Sequence, residues 1–82
     1  MIINVTEKHI AAGERCSRDA CPVALAMTEA LQAHGAEGRV ECCRQVYYLS
    51  DSRTRRNLPS VAIAFIEAFD TKQIVKPFSF EI

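Results

Sequence analysis

The stretch CPVALAMTEALQAHGAEGRVECCRQVYYLS, residues 21–50, decides the fold, because within it the spacing of apolar side chains changes from a helical period to a strand period. Pro22 has a fixed φ and no N–H to satisfy, which suits a first helical position, and Gly35 is a ready left-handed stop; a helix is predicted over residues 22–34. Val23, Met27, Ala30 or Leu31, and His34 recur at helical spacing as its core stripe, leaving Thr28, Glu29 and Gln32 toward water. From Arg39 the period is two: Val40 and Cys42 alternate with Arg39, Glu41 and Cys43. Continuing that phase would bury Arg44, so the chain is expected to bend, bulge or turn near Arg44 and Gln45 before a second strand over residues 46–50.

Working outward, SDSRTRRN, residues 50–57, reads as a polar loop, and Pro59 starts a helix over residues 59–69 with Val61, Ala62, Phe65 and Phe69 as its buried stripe. Ser60 and Glu67 mark the solvent side, yet Ile63 projects between them with Ala64 beside it. A helix apolar on nearly all sides is either sandwiched or presents a contact surface. After a turn at residues 70–73, Phe78, Phe80 and Ile82 alternate with Ser79 and Glu81 as a closing strand, with Pro77 at its start. At the other end, residues 2–5, with β-branched Ile2, Ile3 and Val5, read as a first strand, Thr6 caps a short helical turn from His9 to Ala12 that stops at Gly13, and residues 14–20 form a polar connection. The order β–α–α–β–β–α–β describes one α+β domain over residues 1–82, with two main helices on one face of a three- or four-stranded, mostly antiparallel sheet.

The chain has 82 residues, and its ten basic and ten acidic side chains cancel. Without a global field it is neither a strongly acidic DNA mimic nor a protein drawn from a distance to polyanions. No apolar run approaches the roughly 18 residues needed to span a bilayer, and MIINVTEKH lacks a basic segment leading into an apolar one. A cytoplasmic setting with reduced thiols is therefore expected.

Cys16 and Cys21, with four residues between them, have a spacing that metal clips use, and His9, His34, Cys42 and Cys43 are further candidate ligands. Cys42 and Cys43 are adjacent on a strand and point to opposite faces, so at most one joins a site, and a single loose pair is not a zinc signature. No metal or cofactor is assigned, and Cys42 reads as a small buried apolar side chain. Cys21 precedes Pro22 at a helix N-terminus, where the macrodipole favours a thiolate. Nucleophilic catalysis would need a base, and His34 lies at the far end of the same helix, roughly 18–20 Å away, which leaves His9. A packed thiol is the preferred reading of Cys21, with a reversible Cys16–Cys21 disulfide as an alternative. Nothing resembles a phosphate loop, a paired-carboxylate site or a Ser/His/Asp arrangement, so no enzymatic activity is expected. Arg53, Arg55 and Arg56, with Arg44, give a basic tip. Because no base-stacking motif accompanies Tyr47 and Tyr48, contact with acidic residues of a protein partner is expected ahead of nucleic-acid binding. Ile63 is the candidate apolar contact for a partner or for a second copy of the chain.

The segments VTEKHI, CPVALA, LPSVAIAFIEAFD and VKPFSFEI together resemble a group of small uncharacterised proteins of bacteriophages and prophages, over residues 5–82. These motifs are structural, so the resemblance implies a fold and a bacterial, cytoplasmic setting and carries no active site. It further implies an accessory protein that binds host machinery, a bacterial protein or protein–RNA complex, of which the CRISPR surveillance complexes blocked by anti-CRISPR proteins are one kind.

Overall fold

The change of period at residue 39 is realised as a helix followed by a hairpin. In the computed structural model, which describes residues 1–50, 52 and 54–82, the elements are β1 (Ile2–Val5), α1 (Glu7–Ala12), α2 (Pro22–Ala33), β2 (Val40–Cys43), β3 (Val46–Leu49), β4 (Arg56–Asn57), α3 (Ser60–Asp70) and β5 (Phe78–Glu81). The α+β class is observed, and the described strand pairings are all antiparallel. The strands divide between a β1–β5 ribbon and a three-stranded β2–β3–β4 sheet. α2 packs against β1 of the ribbon and β2 of the sheet. It thereby bridges two small sheets, where a single sheet with one open face was expected.

Each boundary has a local cause. α2 begins at Cys21, whose thiol accepts the Ala24 N–H at 3.4 Å, with Pro22 at the first helical position. It ends in paired bonds from Gly35 N–H to the Gln32 carbonyl and from Ala36 N–H to the Leu31 carbonyl, with Gly35 at φ +92°. That is a Schellman closure, which needs a left-handed residue at this point. The strand phase breaks as expected: Arg44 adopts φ +60° and stays exposed, and Arg44 and Gln45 form a two-residue connection that pairs Cys43 with Val46.

Ile3 and Val5 of β1, Val23, Ala24 and Met27 of α2, Val40 of β2, Ala62, Phe65 and Phe69 of α3, and Phe80 of β5 form one buried cluster. Phe65 stacks on Phe78 at 4.6 Å between ring centroids, and Phe78 on Phe80 at 5.6 Å, which joins α3 to the ribbon. Among the described residues no helix is long and apolar enough to cross a membrane.

Four expectations are corrected. His34 is exposed because it caps α2, where the chain leaves the helical path. Val61 is 50% exposed, one position before Ala62, which with Phe65 and Phe69 forms the buried face of α3. Thr28 is half-buried and accepts the Val40 N–H at 2.9 Å, tying α2 to the edge of β2. Arg56 and Asn57 pair with Tyr47 and Val46 as a short strand, so the expected polar loop over residues 50–57 ends in the sheet; Asp51 and Arg53 lie outside the described residues.

Gly13 stops α1 for a steric reason. Its φ of −72° is open to any residue, but a Cβ there would sit 2.6 Å from the Pro22 ring and 3.0 Å from the His9 carbonyl. Gly13→Ala is therefore expected to push α1 away from the start of α2 and to cost about 1–3 kcal/mol in urea unfolding. An unchanged midpoint would show that the two segments separate freely.

Candidate functional site

The polar connection between α1 and α2 is held at three points. Arg15 Nε donates to the Phe69 carbonyl at 3.2 Å while its guanidinium lies 5.5 Å from the Phe69 ring centroid. The Cys16 N–H donates to Asp70 Oδ1 at 2.9 Å, and the Cys42 N–H donates to the Arg18 carbonyl at 2.8 Å. These bonds fasten the connection to the C-terminal end of α3 and to the edge of β2. Beside it opens a cleft of about 450 Å³, lined by Cys16, Ser17, Arg18 and Cys21, by Cys42, Cys43, Arg44 and Gln45 of the hairpin, and by Ile63, Ile66, Glu67 and Asp70 of α3.

Two sets of residues that seem unrelated in the sequence thus meet. Cys16 and Cys21, the candidate metal or redox thiols, border the same cleft as Arg44 and Ile63, the candidate partner contacts. Ile63 is half-buried and packs on the core, so it forms part of the cleft wall as well as part of the interior. Cys42 and Cys43, although successive on β2, both border the cleft. Its rim is also conformationally costly: of the non-glycine residues at positive φ, Cys16 at +56° and Arg44 at +60° lie here and only Lys72 lies elsewhere among the described residues. Such backbone costs of order 1 kcal/mol each.

At the base of the cleft, Cys21 is 2% and Cys42 7% exposed. The neighbouring Cys42 thiol does most to hold the Cys21 thiol below its ordinary pKa; burial opposes this, and the N–H groups of Ala24 and Val23 reinforce it. The same proximity, joined by burial, pushes the Cys42 thiol up. The two thiols are therefore unequal, Cys21 tending to thiolate and Cys42 to donor.

His9 lies elsewhere. The Thr6 N–H donates to His9 Nδ1 at 3.0 Å, which makes Nδ1 an acceptor, and the ring proton on Nε2 is directed to Glu29 Oε2 at 2.9 Å. Neither histidine lines the cleft, so the structure does not join Cys21 to His9. Among the described residues, no group of three or more His, Cys, Asp or Glu is placed to hold a metal ion.

The basic tip is likewise separate from Arg44. Arg55 covers the Tyr48 ring at 4.4 Å, and Arg56 borders a second cavity of about 320 Å³ with Leu31, Tyr47, Tyr48, Leu49 and Ile82. Arg53 lies outside the described residues. Sequence reasoning missed Cys42 as the neighbour of Cys21, and Arg18 and Ile66 as cleft residues. A single bond, from Cys42 N–H to the Arg18 carbonyl, lays the connection along β2, and no spacing in the sequence signals it. No protein-family model, curated protein or solved structure matches the chain.

Proposed function

We propose that this is a non-enzymatic accessory protein of phage type that binds a bacterial host protein, alone or within a protein–RNA complex, and that the cleft bordered by Arg44 and Ile63 is its contact surface. Anti-CRISPR-like inhibition is one form such binding would take. The observation that carries the reading is the convergence of an exposed guanidinium and an apolar wall on one cleft. Arg18 and Arg44 offer charge to an acidic residue of the partner, and Ile63 and Ile66 offer a seat to an apolar one. Arg44 stands at a left-handed position, where glycine would fit at no steric cost, and this supports a role for the side chain itself.

That backbone geometry supplies a test that unfolding does not confound. Arg44→Gly removes the guanidinium while relieving the strain, so its unfolding free energy is expected to stay within about 1 kcal/mol of the parent. A photocrosslinker at Ser17, used in cells during phage infection, is expected to trap one discrete host protein in the parent. The same adduct should fall at least about tenfold in Arg44→Gly and in Ile63→Asp, the loss of about 1.4 kcal/mol or more that a central contact carries, and persist in Arg55→Ala. A parent that traps nothing, or an adduct unaffected by both cleft substitutions, would overturn the reading. Loss in Arg55→Ala alone would move the contact surface to the Tyr48 face.

A further inference from the structure

The four cysteines of the chain all border the same cleft, and all four are free thiols. Two of them differ from the rest. Cys21 and Cys42 both lie in the buried cluster and both border the cleft, one at the N-terminus of α2 and the other on β2. Cys16 is exposed and Cys43 half-buried. The Cys21 thiol is oriented by its bond from the Ala24 N–H, and 20 residues separate it in sequence from Cys42. A thiol used only for packing has no need of a second thiol in the same buried cluster; two such thiols bordering one opening are the starting arrangement for reversible oxidation.

We propose that Cys21 and Cys42 form a reversible dithiol–disulfide site at the base of the cleft, a modification site whose oxidant is a small hydroperoxide entering through the cleft. The Cys21 thiolate attacks the terminal peroxide oxygen; the O–O bond breaks, the sulfur gains that oxygen as a sulfenic acid, and the leaving alkoxide or hydroxide takes a proton from water. The Cys42 sulfur then attacks the Cys21 sulfur and gives up its proton, the S–O bond breaks, and hydroxide departs with that proton as water. Two thiols lose two electrons in all and one hydroperoxide gains them, yielding a disulfide, an alcohol or water, and water. The asymmetry of the pair fixes the roles: Cys21, stabilised as thiolate, is the attacking group, and Cys42, held protonated, resolves the intermediate. The resulting bond would fasten the start of α2 to β2 and set the floor of the cleft. This inference does not rest on the cleft being a partner surface.

The experiment uses the reduced full chain, hydrogen peroxide as the probe, alkylation of remaining thiols under denaturing conditions, and peptide mapping without reduction. A Cys21–Cys42 linkage is expected as the main product, reversed by dithiothreitol. Cys42→Ser is expected to leave a sulfenic acid at Cys21 that dimedone captures, and Cys21→Ser to slow peroxide consumption at least about tenfold, since it removes the attacking sulfur. The wild-type mapping needs no variant to fold. A main product linking Cys16 to Cys21 or Cys43, or oxidation confined to Cys16 with Cys21 and Cys42 still alkylatable, would overturn the proposal.

Discussion

Met27→Ala is expected to lower the unfolding free energy by about 2–5 kcal/mol, because the side chain is fully buried within a helix that packs on both sheets. The loss has two parts: the apolar surface returned to water, and the contacts forfeited around a void that neighbours on two sheets cannot close at once. A chain of this length has a total stability of roughly 4–12 kcal/mol, so the substitution removes a large share of it. Met27→Leu keeps the volume and is expected to cost less than about 1.5 kcal/mol. Urea unfolding of the two variants, followed by circular dichroism, checks the comparison. Equal and small losses would mean that α2 is not the element joining the two sheets.

Such an experiment probes the part of the fold that was most legible. The stripe through Val23 and Met27, the period-two run at Val40 and Cys42, and the impossibility of burying Arg44 are local patterns. Local patterns specify elements and their inward faces. The partition of the strands into two sheets is not local. It depends on β1 pairing with β5, a contact between Ile3 and Phe80 at opposite ends of the chain, and neither partner carries a label for the other. His34 and Val61 failed for a related reason. Both satisfy the helical period but sit at a helix end, where the period continues and the covering neighbour does not.

The site shows the same division. Arg44 and Ile63 were identifiable singly, one as a basic residue grouped with the arginines of residues 53–56 and the other as an apolar residue on a solvent-facing side. Their meeting was not, because it requires the 14–20 connection to be fastened to α3 by Arg15 and Cys16 and to β2 by Arg18. The adjacency of Cys21 and Cys42 is a product of that fastening. Spacing alone points from Cys21 to the nearby Cys16, whereas a helix start laid against a strand brings Cys42, 21 positions away, to the same cleft.

His9→Ala is expected to cost about 2–4 kcal/mol, more than its size suggests. His9 is 7% exposed, so truncation opens a cavity beneath α1. It also leaves the Thr6 N–H without the Nδ1 acceptor that closes the capping box, and frees α2 from α1 at Glu29. His9→Phe restores volume without the acceptor and is expected to recover only the packing part. The Glu29 side of this link has its own signature. The hydrogen bond from His9 does most to hold the Glu29 carboxyl below the ordinary value of 4.5. A carboxyl depressed in the folded state stabilises the fold above its unfolded pKa, and that stabilisation is lost as the pH falls through the depressed folded value. The parent is therefore expected to exceed Glu29→Gln in stability at neutral pH, with the gap closing below about pH 4.5 as the unfolded carboxyl takes up its proton first. In a His9→Ala background the Glu29→Gln substitution should make no difference at either pH. Thermal unfolding of the four proteins across that range separates the outcomes, and a gap that persists at low pH or survives removal of His9 would show that Glu29 acts on α1 through something other than this bond.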